Sequence, residues 1–160
     1  MLPAIAPAVS PANLAAAAAL FHDYAASLPV DLAMQGFAEE LASLPGVYAP
    51  PHGALLLAKD GEMVLGCIAL KPLAPGVAEI KRLYVKPEAR GLKLGAALIA
   101  AIIQEAQRLE YRELKLDTLP HLQAAIALYR RAGFEAIALY GSHEYPGLIC
   151  LGKTLQSGAK

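Results

Sequence analysis

The sequence predicts an α/β fold built on a mixed sheet, and three features of the chain carry this prediction. Short apolar runs separated by Gly- and Pro-containing turns predict an antiparallel meander over residues 54–85. The Ala-rich segment Gly95–Leu109 places Leu98 and Ile102 on one helical face. The alternating segment Tyr111–Thr118 predicts a further strand. Because a helix connects this strand to the meander, we expect a parallel pair joined by a right-handed crossover.

The N-terminal elements are predicted from capping and turn residues. A short strand is expected at Ala4–Val9. Ser10 can cap a helix over residues 11–27, whose first turn contains a proline. A second helix is expected over residues 31–43. The Pro and Gly content of residues 44–53 then predicts a loop.

The meander itself is divided by its turns. Strands are expected at Ala54–Lys59, Met63–Lys71 and Ala78–Val85. Asp60-Gly61 is a hairpin turn sequence, and Leu73–Gly76 is the second turn.

The C-terminal part should add a helix and a closing hairpin. Pro120 suits the first turn of a helix over Pro120–Ala132, and Gly133 can end that helix in a left-handed conformation. The segments Phe134–Tyr140 and Leu148–Leu155 then predict two antiparallel strands. With 160 residues and no recognisable linker or repeat, we expect one domain over residues 1–160.

Composition and charge argue against several classes of function. The formal net charge is zero, which argues against a nucleic-acid partner, since a nucleic-acid groove needs a basic surface. Cys67 and Cys150 are too few for a disulfide scaffold and are expected to be buried free thiols. No Cys or His cluster has the spacing of a metal site, so we expect no metal.

The apolar N-terminal segment Met1–Leu20 resembles a signal peptide only superficially. No Lys or Arg precedes the apolar run, and three prolines interrupt it. No apolar stretch reaches the ~20 residues that span a bilayer. We therefore expect a cytoplasmic protein with no membrane partner.

The segment between the third meander strand and the next helix predicts an anion site. The strand stops before Pro87, the loop Arg90-Gly-Leu-Lys-Leu-Gly95 follows, and a helix begins at its end. The first N–H groups of a helix have no internal partner and lie at the positive end of its dipole. A pyrophosphate is the natural ligand for such a loop.

Two sequence blocks resemble the GNAT superfamily of acetyl-CoA-dependent N-acyltransferases. Glu79-Ile-x-x-Leu-x-Val85 precedes Arg90-x-x-x-x-Gly95, which is similar to the family loop Gln/Arg-x-x-Gly-x-Gly/Ala, with Lys93 at the middle glycine. The later block, residues 122–134, is similar to the family pattern Asn-x-x-Ala-x-x-Leu-Tyr-x-x-x-Gly-Phe, with Leu122 at the asparagine. The resemblance covers roughly residues 54–154.

This resemblance implies a fold and a cofactor. The expected fold is a mixed, mostly antiparallel sheet flanked by helices, whose central parallel strands splay so that the pantetheine arm of acetyl-CoA enters the gap. A homodimer through a sheet edge is an arrangement common in such folds. The expected cofactor contacts are Leu83, Tyr84, Val85, Arg90, Gly91, Leu92, Lys93, Leu94, Gly95, Ala96, Thr118 and Tyr129.

The resemblance also implies two catalytic residues. Glu79 matches the position of a general base that acts through water, and its alternative is a structural pairing with Lys81 or Lys115. Tyr129 matches the tyrosine that protonates the departing thiolate, and its alternative is a core aromatic. Candidate acceptor contacts on the second helix and the closing hairpin are Gln35, Glu39, His143 and Tyr145.

We therefore expect transfer of an acetyl group from acetyl-CoA to a primary amine of a small molecule, by direct attack in a ternary complex. Two alternatives stay open. One is acetylation of a protein N-terminus or lysine, and the other is a non-catalytic domain that senses acyl-CoA.

Overall fold

The computed structural model describes residues 3–29, 36–141 and 147–156, and its strands form one sheet in the order β1-β2-β3-β4-β5-β7-β6. The strands are β1 (Ala4–Pro7), β2 (Ala54–Asp60), β3 (Met63–Ala74), β4 (Val77–Val85), β5 (Glu113–Thr118), β6 (Glu135–Ala136) and β7 (Ile149–Thr154). The helices are α1 (Pro11–Ala26), α2 (Phe37–Ser43), α3 (Leu94–Arg108) and α4 (Gln123–Arg131).

The predicted mixed, mostly antiparallel sheet is confirmed. Every neighbouring pair of strands is antiparallel except β4 and β5, which are parallel and connected through α3. The Ser10 cap is also confirmed, since the Ser10 hydroxyl oxygen accepts a hydrogen bond from the Asn13 N–H at 3.1 Å. Leu98 and Ile102 are fully buried on the predicted face of α3, and Gly133 ends α4 with a φ of 102°.

Apolar clusters cover both faces of the sheet. The larger cluster packs α3 and α4 against one face, where Ala78 and Ile80 of β4 lie. The smaller cluster packs α1 and the 3₁₀ turn Gly46–Tyr48 against the other face. Because side chains alternate along a strand, Glu79 and its neighbour Lys81 lie on the face of the smaller cluster.

The central parallel pair is short and then opens. Val77 to Glu79 pair with Glu113 to Lys115, but the rest of β4 has no β5 partner. A β-bulge follows in β4, where Arg82 and Leu83 together face Ile68 of β3, and Arg82 has a φ of 63°. The opening leaves the β5-facing backbone of β4 beyond Glu79 without a strand partner in the described residues.

The structure corrects several predicted boundaries. Gly36 has a φ of 71°, so a helix cannot continue through it, and α2 begins at Phe37; residues 31–35 of the predicted helix lie outside the described residues. Helix α4 begins at Gln123 and not at Pro120, because residues 119–122 form a separate turn closed by the Leu122 N–H.

The region after α4 and the proline-rich loop also differ from the prediction. The predicted strand Phe134–Tyr140 shortens to β6, because the chain leaves β7 after Ile137 and carries Tyr140 towards Glu79. The predicted loop 44–53 contains a 3₁₀ turn, and it buries Tyr48 to 1% exposure against Phe21. A buried aromatic ring thus anchors a segment that composition alone marks as solvent-exposed.

Candidate active site

A cavity of about 570 Å³ lies where β4 and β5 separate, between the loop before α3, helix α4 and the end of α1. It contains the predicted cofactor residues, apart from Leu92. The predicted residues that line it are Leu83, Tyr84, Val85, Arg90, Gly91, Lys93, Leu94, Gly95, Ala96, Thr118 and Tyr129. Leu92 instead lies outside this lining with its side chain 49% exposed, and its N–H donates to the Ala89 carbonyl at 3.4 Å.

The loop before α3 presents a row of free backbone donors to this cavity. Among the described residues, the N–H groups of Lys93–Ala96 have no acceptor, and the Ala97 N–H is the first to bond, to the Lys93 carbonyl at 3.2 Å. Gly91 and Lys93 adopt left-handed conformations, with φ of 96° and 60°, which turn the chain into the helix. These donors and the helix dipole together form a site for a phosphate group.

Two positions of the loop, Lys93 and Gly95, suit glycine for different physical reasons. Lys93 stands where the middle glycine is usual, and its φ of 60° is a conformation that costs a residue with a β-carbon about 1–2 kcal/mol. A β-carbon on Gly95 would lie 2.7 Å from Cδ1 of Leu128. Gly95 therefore serves the packing of α3 against α4, and a bulky residue there would disturb that packing as well as the loop.

Tyr129 lies at the inner wall of the first cavity. Its ring packs edge-on against Phe134, with centroids 5.4 Å apart, and the residue is 4% exposed. Its hydroxyl has no hydrogen-bond partner among the described residues. Every side-chain oxygen that is fully enclosed in the described residues has such a partner, so the Tyr129 hydroxyl is not fully enclosed and opens to the cavity. Burial raises the pKa of Tyr129 above its usual value, so the phenol is protonated at neutral pH.

A second cavity, of about 540 Å³, lies on the other side of the opening, between α2, the 3₁₀ turn Gly46–Tyr48 and strands β3 to β5. Three residues, Lys81, Arg82 and Asp117, line both cavities. We call these three residues the junction. The two cavities therefore adjoin at the junction, where the parallel strands separate.

Glu79 lines the second cavity and is 4% exposed. The Tyr140 hydroxyl donates a hydrogen bond to Glu79 Oε2 at 2.7 Å, and Lys71 Nζ lies 3.7 Å from Oε1. Lys71 is the direct cross-strand partner of Glu79, so the predicted pairing with Lys81 or Lys115 is wrong. Burial and the adjacent Glu79 carboxylate raise the pKa of Tyr140, which keeps its hydroxyl a hydrogen-bond donor.

A buried ion pair attaches α2 to the bulge of β4. Arg82 Nε and Nη2 donate to the two carboxylate oxygens of Glu40 at 2.9 and 2.7 Å. The Tyr48 hydroxyl donates to the same carboxylate at 3.0 Å, and the guanidinium lies 5.3 Å from the centre of the Phe37 ring. This cluster holds one wall of the second cavity in a fixed position relative to the junction.

One of the predicted acceptor contacts lines the second cavity. Glu39 is exposed at the rim of the second cavity, whereas Gln35, His143 and Tyr145 lie outside the described residues. Glu40 and Tyr140, which the sequence also placed at the border of the acceptor site, line the second cavity. Sequence reasoning assigned no site role to several other residues that line the cavities: Tyr24, Lys71, Lys81, Arg82 and Asp117. The alternation of β5 could have indicated Asp117, because it places this residue on the face opposite the buried Leu116.

The described residues contain neither a metal-binding cluster nor a membrane-spanning helix. No group of three or more His, Cys, Asp or Glu side chains in the described ranges has the arrangement of a metal site. No helix in the same part of the chain combines the length and apolar character that crossing a membrane requires.

Comparison with known proteins identifies the family. The model of the acetyltransferase (GNAT) family matches residues 17–134. An uncharacterised N-acetyltransferase of Schizosaccharomyces pombe is 42% identical over 132 residues, which cover 81% of each chain. A GNAT-family acetyltransferase structure from Staphylococcus aureus superposes with a TM-score of 0.80 at 19% identity, covering 96% of this chain and 99% of the other.

A second solved structure comes from Salmonella typhimurium and is described with its cofactor acetyl-CoA. It covers 100% of this chain and 98% of its own, with a TM-score of 0.75 at 18% identity. Members of the family use acetyl-CoA, and the strand opening and the free N–H row described above are features that suit it. The chain belongs to the acetyltransferase (GNAT) family.

Proposed function

We propose that this protein transfers an acetyl group from acetyl-CoA to a primary amine of a small molecule, by direct attack in a ternary complex. The observation that carries the proposal is the meeting of two cavities at the junction. The first cavity is bordered by free backbone donors, and the second by carboxylates and lysines. Holding both reactants together at such a meeting point accelerates a reaction without a covalent enzyme intermediate.

The first cavity binds the cofactor in this proposal. The N–H groups of Lys93–Ala96 receive the pyrophosphate, and the exposed cations of Arg90 and Lys93 add favourable charge. The side of Leu83–Val85 that faces β5 has no strand partner in the described residues, although the Val85 carbonyl accepts from Arg90 Nε at 3.1 Å. This side offers hydrogen bonds to the pantetheine amides, as an added strand would. When bound, acetyl-CoA supplies the acetyl group as an activated thioester.

Two side chains manage the protons. Glu79 accepts a proton from the incoming ammonium through water, which leaves a neutral amine as the nucleophile. The Tyr129 hydroxyl faces the first cavity and stays protonated, so it can donate its proton to the departing sulfur. Glu79 thus holds the first proton that the ammonium loses. Nitrogen loses the second as the C–N bond forms and the C–S bond breaks, and this proton passes through water to Tyr129, where it replaces the one given to the thiol.

Ala96→Glu tests the cofactor site without disturbing the core. Ala96 is exposed in the first turn of α3, where a carboxylate favours the helix, but there it competes with a phosphate for the free N–H groups. We expect the affinity for acetyl-CoA, measured by calorimetry, to fall by about tenfold or more. Ala100→Glu is the matched control, because Ala100 is exposed one turn later in α3 and lines neither cavity. Equal affinities in the two variants would place the cofactor elsewhere.

Glu79→Gln and Tyr129→Phe test the chemical roles. Both variants should keep acetyl-CoA affinity and lower kcat, each by about 10²-fold if the lost group transfers a proton. Tyr129→Phe preserves the contact with Phe134, so its free energy of unfolding should change little. Wild-type turnover in either variant would assign that residue a structural role only.

The alternatives are decided by the product. The wild-type protein should release CoA only when a small amine is present, and mass spectrometry should find the acetyl group on that amine. Label found only on a peptide N-terminus or lysine would favour a protein acceptor. Binding of acetyl-CoA without transfer to any amine or peptide would favour the sensor alternative.

The remaining expectations are part of the same proposal. They are a single domain over residues 1–160 and a location in the cytoplasm. The location agrees with Cys67 and Cys150 being free, buried thiols, because a reducing compartment keeps thiols free. Analytical ultracentrifugation would test the predicted homodimer.

A further inference from the structure

The charges that line the second cavity are mostly paired with one another. Arg82 is held by Glu40 through two hydrogen bonds, and Glu79 is held by Lys71 and Tyr140. Lys81 and Asp117 differ from these residues. Neither makes an ion pair or a side-chain hydrogen bond within the described part of the chain, although both are partly buried.

The position of these two residues follows from the opening of the sheet. The last pair in the parallel register is Glu79 with Lys115, so a regular continuation would place Lys81 opposite Asp117. The strands separate before that point, and both side chains instead line the two cavities at the junction. One cation and one anion, each partly removed from water, therefore flank the passage that an acceptor must enter.

We propose that the acceptor carries an anionic group close to its primary amine, as an amino acid does. This inference rests on the proposed function and names its substrate class. Asp117 receives the ammonium, because it is the carboxylate among the three junction residues and so borders the first cavity as well as the second. Lys81 receives the anionic group. Glu79, which lines only the second cavity, then accepts the proton through water.

The same charges disfavour other amines. Lys71 and Arg82 are already paired with Glu79 and Glu40, so a diamine or polyamine would bring its second cation towards Lys81, which has no ion-pair partner in the described residues. A simple alkylamine would leave Lys81 without a counter-charge in a partly desolvated site. The rim of the cavity adds Val47 and Leu73, which are 57% and 38% exposed, so an apolar side chain on the acceptor fits there.

The experiment compares matched acceptors that differ only in the anionic group. For each standard amino acid with a primary amine, the acid, its amide and the amine lacking the carboxylate are assayed by CoA release. We expect kcat/KM to be about tenfold or more higher for the preferred acid than for its amide and its amine. Lys81→Met should remove this difference by lowering kcat/KM for the acid alone, and Lys81→Arg should restore most of it.

Two further variants complete the design. Asp117→Asn should lower kcat/KM for acid, amide and amine alike, since all three carry the ammonium. Lys59→Met is the matched control, because Lys59 contacts Asn13 on α1 and lines neither cavity. Calorimetry with acetyl-CoA confirms that each variant is folded and binds the cofactor.

The outcomes separate this inference from the proposed function. Efficient acetylation of amides and amines, with no effect of Lys81→Met, would overturn the anionic acceptor and leave the acetyltransferase proposal intact. Transfer to none of these compounds and to no other small amine, by a wild-type protein that binds acetyl-CoA, would overturn the small-molecule function itself.

Discussion

Replacing Glu40 by alanine tests whether the ion pair of Glu40 and Arg82 beside the second cavity stabilises the fold. The pair is enclosed, since the side chains of Arg82 and Glu40 are only 4% and 13% exposed. Burial by itself would lower the pKa of Arg82, but the hydrogen bonds and charge of Glu40 raise it above its usual value. Because arginine stays protonated in proteins, Arg82 cannot become neutral when Glu40 is removed. Glu40→Ala therefore leaves a buried guanidinium with much less compensation.

The magnitude follows from the contacts. Removing one partner of a buried pair costs about 3–5 kcal/mol. Arg82 keeps its contact with the Phe37 ring and a further interaction, so we expect the lower end, about 3 kcal/mol in the free energy of unfolding. For a chain of this length that loss corresponds to a fall in Tm of about 6–12 °C. Typical domains unfold with about 5–15 kcal/mol, so the variant should still fold.

Glu39 provides an internal control on the same helix. It is exposed, and Glu39→Ala should change the free energy of unfolding by no more than about 0.5 kcal/mol. Urea denaturation of both variants, monitored by tyrosine fluorescence and circular dichroism, measures the difference. If Glu40→Ala loses no more stability than Glu39→Ala, the ion pair contributes nothing and the reasoning fails. The affinity for acetyl-CoA should be unchanged in both, because neither residue lines the first cavity.

Three further predictions concern backbone strain, thiols and phenols. Lys93→Gly relieves the backbone strain of the left-handed conformation and should raise the free energy of unfolding, measured in urea, by about 0.5–1 kcal/mol. The variant also loses a cation, so it should bind acetyl-CoA more weakly, with the largest loss of affinity at low salt. A loss of stability would contradict the strain argument. Cys67 and Cys150 are 0% and 2% exposed, and burial raises the pKa of the Cys67 thiol. Neither thiol should therefore react with a thiol reagent at neutral pH until the protein is unfolded. Fast reaction of the native protein would contradict the burial of these thiols. Burial raises the pKa of Tyr48 and Tyr129 in the native state above 10.0, the usual value, which applies in the unfolded chain. As the pH rises past 10.0, the unfolded chain therefore releases protons that the native state retains. The free energy of unfolding should then fall above pH 10 by up to about 1.4 kcal/mol per pH unit for each phenol, and equal urea midpoints at pH 9 and pH 11 would refute this.

The sequence by itself determined the features that depend on neighbouring residues. Ser10 caps α1 through a bond to a residue three positions later, and the apolar spacing of α3 reflects a helical period that is local to the segment. The family loop was readable because the anion site uses consecutive backbone N–H groups, whose free state depends only on where the helix begins. The placement of Tyr129 beside the first cavity followed from its motif in the same way.

Only the tertiary structure decided the contacts that organise the second cavity. Arg82 meets Glu40 across 42 positions and Tyr140 meets Glu79 across 61, and no local pattern encodes such partners. The bulge at Arg82 and the early end of the β4–β5 pairing arise from the packing of the whole sheet. The same opening separates Lys81 from Asp117, which a regular sheet would have paired. Two charges that would lie opposite one another in a regular strand pair therefore line the cavities without an ion pair between them, because the strands separate first.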